Sequence, residues 1–499
     1  MRSINIAILA QLCGNEGFSA YENMYSRRSK RKNTSAHEQE TLKDMLVQLG
    51  SDITFGQLDG FYFSYSIPQI SKEFDLLRIT DDAVLDIELK SDTVAEAKIH
   101  KQLVRNKYYL GHFERTIYLF TYVKGGRVYT LDEQNHLAKT TVLELKNIVK
   151  QTQKTSEIED IDQFFKPSRF LISPLNTPER FLKGDYFLTD QQEEYKNAII
   201  DGIEKKKVLF GLTGRPGTGK TLLLYDIARE LSKKYRCIIV HCAPLSQGHE
   251  YLSKHLENCC ITTPKDFMQF QDGFLQSDVF LFDEFQRAYE NVFDVIKAIT
   301  QKAEKRVIIS FDFGQMLSHA EEDRNLLDKL NKIKGMQVLQ LSDKIRTNKE
   351  IDDFTKKLFM PKKNASIKPS VYPHVTVLYS SSRADTLRFV ESYKNKGFTF
   401  INHSVSLHVV DSFDTLNEMA DSNSHRVIGQ EFDKVLVVMN EKFYYDNGVL
   451  TASRHANPDY LFTKLLYQEV TRTRNELCII VENNLDVLTQ IMSNFLIEE

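Results

Sequence analysis

The chain has 499 residues, 41% of them hydrophobic, and its formal net charge is −3. This length predicts about three domains, and the apolar content is sufficient for packed cores. The nearly balanced charge excludes a global basic field, although a basic groove for nucleic acid can exist within a neutral total.

Cysteine usage and the apolar start of the chain indicate the compartment. The six cysteines show neither metal-ligand spacing nor a paired framework, so we expect reduced thiols. Residues 4–12 are apolar but too short to cross a bilayer, and no small-residue cleavage site follows them. We therefore expect a buried structural element there, in a cytoplasmic protein without membrane contact.

Residues 1–150 are expected to form the first domain, because β-rich runs mix there with amphipathic stretches. Within it, residues 73–79 and 84–90 flank the turn 80–83, which predicts a β-hairpin. The densest basic run of the chain, residues 27–32, suits contacts with backbone phosphates. A solvated charged surface explains that run equally well.

Acidic and basic side chains share one face of this hairpin. On the second strand, the period of two places Asp86, Glu88 and Lys90 on the same face. Two carboxylates and a lysine on adjoining strands suit metal-assisted phosphodiester hydrolysis. Asp75 and Glu88 would hold Mg²⁺, and Lys90 would stabilise the attacking water or the phosphate. A structural hairpin with one solvated face accounts for the same spacing.

The pattern Asp-x₁₂-Glu-x-Lys resembles the core of PD-(D/E)xK nucleases, over residues 30–125. The proline that usually precedes the first aspartate is absent. The resemblance implies a glutamate on the preceding helix, and Glu38 is preferred to Glu40 because it shares a face with apolar residues. It also implies an active-site glutamine on the helix after Lys90, at Gln102. A simple surface amide explains Gln102 equally well.

Residues 151–183 are polar and interrupted by three prolines, which is typical of a linker. From Leu188 onward, apolar strand-like runs alternate with helical patterns, which predicts βαβ units and parallel sheets covered by helices. We expect two such domains, at residues 184–345 and 346–499. The predicted strands are 206–212, 236–243, 278–283, 306–311, 336–341, 374–379, 397–401, 434–439 and 477–481.

The run from Gly214 to Thr221 predicts a phosphate-binding P-loop, because it follows a strand-like stretch and opens a helix-like one. Glycines allow backbone N–H groups to face phosphate oxygens, and the following helix adds its positive end. Lys220 would contact the β- and γ-phosphates of ATP, and the hydroxyl of Thr221 would bind Mg²⁺. The predicted nucleotide-binding residues are Gly214, Pro216, Gly217, Thr218, Gly219, Lys220 and Thr221.

Further strand ends carry side chains that suit ATP hydrolysis. The apolar strand before Asp283 and Glu284 should end beside the P-loop, where Asp283 would hold Mg²⁺ through water and Glu284 would polarise the attacking water. After the next strand, Gln315 can hydrogen-bond to the γ-phosphate or to that water, although an ordinary loop explains it equally. Late in the chain, Arg472 and Arg474 could neutralise charge on the transferred phosphate. From spacing alone, a surface basic pair is the simpler explanation.

Residues 187–481 resemble a superfamily 1 helicase core, of the compact type that also forms the C-terminal part of Schlafen proteins. The motifs follow the order of that family. They are Leu188–Gln192, Gly214–Thr221, Asp283–Gln286, Asp312–Gln315, Leu341–Arg346, Ile428–Asp433 and Val470–Arg474. The chain departs from the family at Phe311, which replaces a glycine, and at Ile345, which replaces the aromatic residue that stacks on adenine. We therefore expect weaker stacking, or stacking by another residue.

The resemblance implies roles for four residues of these motifs. Gln192 would contact adenine and Glu431 the ribose, while Arg346 and Arg472 would reach the phosphates from the second lobe. The spacing between the motifs leaves no room for a further domain within either lobe. The large insertions with which related helicases grip and open a duplex are therefore not expected.

Together these features predict an α/β protein that is an ATP-dependent or ATP-regulated nuclease, with ATP and Mg²⁺ as cofactors. DNA is the expected polymer; RNA, oligomerisation and a partner subunit are left open. Anti-phage defence or DNA repair follows from analogy with similar fusions. The alternative is a nucleic-acid-dependent ATPase or translocase with a degenerate N-terminal domain that does not cleave. In a third hypothesis, ATP restrains the nuclease and its depletion releases cleavage.

Overall fold

The computed structural model of the protein describes residues 1–25, 34–67, 70, 72–153, 158–165, 170, 172–205, 208–302, 304–333, 335–342, 349–360, 372–406, 408–453 and 459–493. Within these ranges, no helix has both the length and the apolar character that crossing a membrane requires. All six cysteines lie in the described part and are free thiols.

The chain divides into two compact units, Met1–Phe170 and Leu171–Glu499. The division falls inside the stretch 151–183, which the sequence predicts as a linker. Phe165 is fully buried in the first unit and Phe181 is fully buried in the second. The stretch therefore contributes large apolar side chains to the interior of both units.

The first unit is built on a mixed β-sheet. Its helices are α1 (Ile6–Leu12), α2 (Gly17–Tyr25), α3 (Ala36–Leu49), α4 (Glu96–Leu110) and α5 (Val142–Gln151). Its strands are β1 (Phe61–Ser66), β2 (Glu73–Ile79), β3 (Ala83–Lys90), β4 (Thr116–Val123), β5 (Arg127–Leu131) and β6 (Leu137–Thr140), which pair in that order. Only the pairing of β3 with β4 is parallel among these described strands. The predicted hairpin is confirmed as β2 and β3.

Side chains of β3 alternate between an apolar face and a polar face of the sheet. Leu85, Ile87 and Leu89 pack into a core that includes side chains of α3. Asp86 and Glu88, one position out of phase, are fully buried on the other side, where they accept hydrogen bonds from α4. The predicted period of two is confirmed, and the polar side is covered instead of solvated.

The second unit contains two parallel sheets. Its helices are α6 (Pro178–Lys183), α7 (Asp190–Glu204), α8 (Lys220–Leu231), α9 (Gln247–His255), α10 (Pro264–Gln269), α11 (Gln271–Phe274), α12 (Glu290–Thr300), α13 (His319–Asp323), α14 (Leu326–Asn331), α15 (Lys349–Phe359), α16 (Arg383–Asn395), α17 (Phe462–Val470) and α18 (Leu485–Ser493). Its strands are β7 (Leu209–Gly214), β8 (Cys237–His241), β9 (Cys259–Thr262), β10 (Val279–Asp283), β11 (Arg306–Phe311), β12 (Gln337–Leu341), β13 (Val375–Ser380), β14 (Thr399–Asn402), β15 (Ser422–Asn423), β16 (Phe432–Met439), β17 (Phe443–Asp446), β18 (Val449–Ala452) and β19 (Thr473–Glu482).

The sheets define two lobes, the first with strand order β12-β7-β11-β10-β8-β9 and the second with β13-β19-β16-β14-β15. Each described pair within them is parallel. All nine strands predicted in this half are confirmed, whereas the short strands β9 and β15 and the hairpin β17–β18 were not predicted. The first sheet ends at Leu341 and the second begins at Val375, so the boundary predicted at 345/346 falls between them, outside the described residues.

A buried arginine connects the sheet of the first unit to segments outside the sheet by hydrogen bonds. Arg78 on β2 is fully buried, and burial lowers the pKa of its guanidinium to about 9. Nη1 donates to the carbonyl oxygen of Gln57 at 2.8 Å. Nη2 donates to the carbonyl oxygen of Val149 and to the hydroxyl of Thr152, both at 2.6 Å. The guanidinium thus satisfies groups from two separate segments, one around Gln57 and one at the end of α5.

Replacing Arg78 with alanine should strongly destabilise the first unit, because buried carbonyl oxygens lose their donors. We expect the free energy of unfolding to fall by about 3 kcal/mol or more, measured by urea unfolding of the full chain. Arg127→Ala is the matched control, because Arg127 is exposed on β5 and donates to a single carbonyl group, that of Asp92. Equal losses for the two variants would contradict this account.

Candidate nucleotide-binding and nuclease sites

The predicted P-loop connects β7 to α8 at the carboxyl edge of the first parallel sheet. Gly219, directly before α8, has a φ of 80°, in the left-handed region that favours glycine. A Cβ atom on Gly214 would lie 2.8 Å from the carbonyl oxygen of Leu341 and from the hydroxyl of Thr218. The backbone therefore requires both glycines, and the loop has the strand–loop–helix arrangement of a phosphate site.

The ammonium group of Lys220 lies over the loop itself. It donates to the carbonyl oxygens of Gly214 at 2.7 Å and Arg215 at 3.3 Å, and lies 3.6 Å from Oδ2 of Asp312. Phosphate oxygens carry more negative charge than carbonyl oxygens and bind an ammonium group more strongly. Lys220 is therefore placed to exchange its loop contacts for those of a triphosphate.

A small cavity in front of the loop is lined by residues from both lobes. They are Pro216, Gly217, Gly219, Lys220, Thr221, Glu284, Gln315, Gly429, Glu431 and Arg472. All except Gly429 are residues that the sequence predicts for ATP binding or hydrolysis. Loop amides, an ammonium and a guanidinium group suit phosphates, while a hydroxyl and carboxylates suit Mg²⁺ and water. This set of groups fits a nucleotide with its Mg²⁺ ion.

The predicted acid pair ends the interior strand β10. Asp283 is fully buried, with Nδ1 of His241 lying 3.3 Å from its Oδ2. Its Oδ1 has no hydrogen-bond partner in the described part of the chain, which suits an acceptor for metal-bound water. Glu284 has a φ of 55°, uncommon for a residue other than glycine, and accepts from the side-chain amide of Gln286 at 2.6 Å.

Hydrogen bonds connect this acid pair to the second lobe. The amide oxygen of Gln286 accepts from the backbone N–H of Asp312 at 3.0 Å, and Oδ2 of Asp312 accepts from the side chain of Gln315 at 2.7 Å. The amide oxygen of Gln315 accepts from Nη2 of Arg472 at 3.1 Å. Asp312 also forms an ion pair with Lys220 at 3.6 Å, so one series of an ion pair and hydrogen bonds runs from the P-loop to the predicted arginine finger.

The guanidinium of Arg472 is buried and fixed by further bonds. Nε donates to the carbonyl oxygen of Gln468 at 3.2 Å, and Nη1 donates to that of Gln430 at 3.3 Å. Burial lowers the pKa of Arg472, while the carboxylates of Glu431 and Glu284 act in the opposite direction. Its planar donor group therefore keeps a defined orientation at the cavity, as phosphate recognition requires.

Glu431 lies on the same cavity, on the loop before β16. Its Oε2 lies 3.2 Å from Nε of Arg474, and its carbonyl oxygen accepts from the side chain of Asn176 at 2.5 Å. The ribose contact implied by the resemblance stays a prediction. Arg346, predicted as the other catalytic arginine, lies outside the described residues, as do residues 27–32 of the basic run.

Gln192 lies against the P-loop with both ends of its amide engaged. It is 1% exposed; its Oε1 accepts from the N–H of Thr189 and its Nε2 donates to the carbonyl oxygen of Thr218, each at 3.1 Å. The first bond belongs to a capping box at the start of α7. Gln192 thus supports the loop, a role the sequence does not predict. Each end of the amide can form a second hydrogen bond, and the adenine contact stays a prediction.

Besides Gly429, three residues beside the cavity have no role predicted from the sequence: His241, Gln286 and Asp312. The last two lie within the quoted motifs, so their positions next to the acid pair and at the end of β11 were available signals. His241 gives no comparable signal. Its approach to Asp283 depends on β8 lying beside β10, where these two residues are paired in register.

In the first unit, the structure brings Asp75, Glu88 and Lys90 together at the ends of β2 and β3. Oδ2 of Asp75 accepts from the backbone N–H of Leu89 at 2.9 Å. Nζ of Lys90 lies 3.5 Å from the same oxygen and 3.3 Å from Oε2 of Glu88. The lysine therefore lies between the two carboxylates.

Burial and neighbouring charges separate the proton affinities of these groups. Burial, with the charge of Glu88, raises the pKa of Asp75 to about 7. Burial also acts to raise the pKa of Glu88, but Lys72 and Lys90 outweigh it and hold the pKa at about 2. Burial opposes the charged form of Lys90, yet the two carboxylates raise its pKa above the ordinary value. At neutral pH, Glu88 and Lys90 are thus both charged.

Further polar side chains surround Glu88. Nζ of the buried Lys72 lies 3.4 Å from its Oε1. From α4, Gln102 donates to Glu88, and Asn106 donates to Asp86 at 2.5 Å and to Glu88 at 2.7 Å. Gln102 therefore lies in the site. No role is predicted from the sequence for Lys72, Asp86 or Asn106, although the period of two places Asp86 on the polar face.

Glu38 lies in the first turn of α3, where it forms a capping box with Ser35. It also lines a small cavity together with Asp75. Glu40 is exposed and forms an ion pair with Lys124 instead. This geometry agrees with the preference for Glu38, while its participation in catalysis stays a prediction.

The carboxylate oxygens of this site suit a cation that is bound by few protein ligands. Among the described residues, no group of three or more histidine, cysteine, aspartate or glutamate side chains has the arrangement of a metal centre. Mg²⁺ commonly uses one or two carboxylates and keeps several waters. Asp75 and Glu88 supply two carboxylates, and the buried Oδ1 of Asp86 has no partner in the described part. The residues therefore fit Mg²⁺ with a largely aqueous shell.

Sequence comparison agrees with the geometry of the second unit. Residues 207–427 match the profile of the Schlafen group 3 DNA/RNA helicase domain. This region contains the P-loop, the acid pair and Gln315. The chain therefore contains a P-loop ATPase domain of the helicase type. No curated protein matches the chain.

Similar solved structures include Pif1 helicases. Pif1 helicase from Candida albicans is 14% identical, with a TM-score of 0.31, and the match covers 59% of this chain and 95% of that chain. Pif1 from Bacteroides sp in complex with ADP-AlF4 is 11% identical, with a TM-score of 0.34, and the match covers 62% and 96%. These similarities are distant and define no detail of the site.

Replacing Gln192 with alanine should weaken catalysis irrespective of the base. The substitution leaves the carbonyl oxygen of Thr218 without its buried donor, so we expect kcat/KM to fall about tenfold for ATP and GTP alike. Gln191→Ala is the matched control, because the neighbouring Gln191 accepts a hydrogen bond from the backbone N–H of Ser342, just after β12. Steady-state hydrolysis of both nucleotides provides the measurement. A loss confined to ATP would contradict the supporting role and favour the adenine contact.

Proposed function

We propose that this chain is an ATP-dependent or ATP-regulated DNA nuclease. Residues 184–345 and 346–499 form the two RecA-like lobes of the ATPase, and residues 1–150 form a Mg²⁺-dependent nuclease domain. The observation that carries the nuclease part is the cluster of Asp75, Glu88 and Lys90, with Lys90 held between the carboxylates of the partly buried Asp75 and the fully buried Glu88. We further propose a role in anti-phage defence or DNA repair, by analogy with similar fusions.

For ATP hydrolysis, the bound Mg²⁺-nucleotide supplies the phosphoryl group and the metal charge. Lys220 moves its hydrogen bonds from the loop carbonyl groups to the β- and γ-phosphates. Glu284 orients the attacking water and accepts its proton, and Gln286 keeps that carboxylate in place. Arg472, fixed by Gln315, neutralises the negative charge on the transferred group. Each of these side chains is therefore close to its proposed task before ATP binds.

For phosphodiester cleavage, Asp75 and Glu88 would hold Mg²⁺, which lowers the pKa of a bound water when present. Lys90 donates to that water or to a nonbridging phosphate oxygen, because its ammonium already lies between the carboxylates. Gln102 and Asn106 fix the orientation of Glu88 from α4. Side chains from α4 thus hold the carboxylate of Glu88 in place on the polar side of β3.

Because ATP hydrolysis and phosphodiester cleavage are proposed for the same chain, the ATPase would control when DNA is cut or move DNA to the nuclease site. The spacing of the helicase-like motifs leaves no room for the large insertions with which relatives open a duplex. A processive helicase is therefore a weaker proposal than an ATPase that moves DNA to the nuclease or gates cleavage by nucleotide state. DNA is the proposed substrate.

A second candidate is a nucleic-acid-dependent ATPase or translocase whose first unit binds but does not cleave. The contact between Lys72 and Oε1 of Glu88 favours it, because a second lysine occupies an oxygen that a metal would use. Cleavage by the purified full-length protein distinguishes the two candidates directly.

Replacing Lys90 with alanine should reduce cleavage of plasmid and linear DNA in Mg²⁺ by at least about 100-fold. ATP hydrolysis should continue, because the P-loop is unchanged. Lys124→Ala is the matched control: Lys124 is a lysine near the end of the neighbouring strand, paired with Glu40, and should cut normally. Gel assays with and without ATP, and with RNA of the same sequence, provide the measurement. If wild type and Lys90→Ala leave all substrates equally intact, the nuclease proposal is wrong.

Replacing Lys220 with alanine should uncouple cleavage from ATP. We expect wild-type cleavage to change across an ATP titration, and the variant to give a flat response because its triphosphate contact is lost. A variant slower than wild type at high ATP indicates that ATP drives cleavage, and a faster one indicates restraint. Lys233→Ala, an exposed lysine after α8, should keep the wild-type response. Identical ATP responses of wild type and Lys220→Ala would contradict coupling.

A further inference from the structure

A buried histidine contacts the aspartate of the acid pair. His241 is the last residue of β8 and is paired in register with Asp283 on the neighbouring β10. Both side chains are fully buried, and Nδ1 of His241 lies 3.3 Å from Oδ2 of Asp283. An ionised carboxylate only accepts hydrogen bonds, so Nδ1 is the donor. This bond occupies one of the two carboxylate oxygens.

The ring of a second histidine packs against the ring of His241. The ring of His249, on α9, lies 4.2 Å from that of His241 between centroids. Nδ1 of His249 accepts from the backbone N–H of Ser246 at 2.9 Å, which leaves its proton on Nε2. Burial, assisted by His241, lowers the pKa of His249 to about 2 and keeps it neutral. The second ring thus fills the space without adding charge near Asp283.

Four buried polar atoms in this region have no partner in the described part of the chain. They are Nε2 of His241, Nε2 of His249, the hydroxyl oxygen of Tyr225 and Oδ1 of Asp283. Buried polar atoms are nearly always satisfied, by protein or by ordered water. Oδ1 of Asp283 differs from the others, because the next residue in the chain, Glu284, lines the P-loop cavity. It is the oxygen left for the hydration shell of a nucleotide-bound cation.

We infer that His241 is a positioning residue for Asp283, holding Oδ2 so that Oδ1 is presented to the cation of the bound nucleotide. The inference rests on the proposed role of Asp283 in ATP hydrolysis. Carboxylates around metals are commonly oriented by such outer partners, whose loss costs about 10- to 100-fold in metal affinity or activity. His241 does not touch the nucleotide, so its loss should appear in the cation requirement.

The test compares substitutions that keep or remove the donor at the position of Nδ1. Asparagine keeps it, because its amide nitrogen and Nδ1 of histidine are both bonded to Cγ; leucine removes it. With ATP hydrolysis measured across a Mg²⁺ titration, we expect His241→Leu to raise the half-saturating Mg²⁺ concentration about tenfold or more. His241→Asn should stay within about threefold of wild type. His255→Leu, on the exposed side of α9, should behave as wild type.

Controls separate positioning from packing. His241→Leu should bind nucleotide normally in EDTA, because the P-loop does not depend on the histidine. If His241→Leu does not fold, His241→Gln replaces it, since glutamine places its amide one carbon further out and should raise the Mg²⁺ requirement. Unchanged Mg²⁺ dependence in a folded leucine or glutamine variant would overturn the inference, as would equal impairment of the asparagine variant. If Asp283→Asn hydrolyses ATP normally, the proposed role of Asp283 itself fails.

Discussion

The burial of ionised groups at the ends of parallel strands is the constraint on which the second unit depends. Removing a charge from water costs several kcal/mol unless partners replace the lost hydration. Asp312, at the carboxyl end of β11 in the first lobe, has such partners, because it accepts from Gln315 at 2.7 Å and lies 3.6 Å from Lys220. Gln315 in turn binds Arg472. A nucleotide that enters this site therefore exchanges the partners of existing charges.

The first unit meets the same constraint in a different way. Glu88 is fully buried and is balanced by the ammonium groups of Lys72 and Lys90, with amide donors from α4. The pKa of Asp75 is raised to about 7, so this side chain is partly protonated near neutral pH. The desolvation cost of its charge is reduced accordingly. Binding of a cation at Glu88 therefore requires one lysine to give up a contact. The affinity of this site for a cation therefore depends on its lysines as well as on its carboxylates.

Local patterns were sufficient to predict most of this fold. Alternation along β3, the fixed offsets of the P-loop and the nine strand-like runs depend on residues close in sequence, and each corresponds to an observed element. The contacts that complete the sites depend instead on which strands become neighbours. His241 reaches Asp283 only because β8 is inserted beside β10, and the amide of Gln192 reaches Thr218 only once α7 packs against α8. No spacing in a single sequence specifies such long-range partners. The burial of Phe165 and Phe181 was missed for the same reason.

The series from Lys220 through Asp312 and Gln315 to Arg472 has a consequence for how nucleotide state can be transmitted. A hydrogen bond to a charged group contributes about 1.5–3 kcal/mol, and about 1.4 kcal/mol changes an equilibrium tenfold. When phosphate oxygens take over Lys220, Asp312 loses a neighbouring cation, and its bond to Gln315 changes in strength. That bond orients the residue that holds Arg472 of the second lobe. The loss of one such bond is enough to shift an equilibrium by about an order of magnitude. In the proposed switch, this series would carry the nucleotide state from the P-loop to Arg472 of the second lobe.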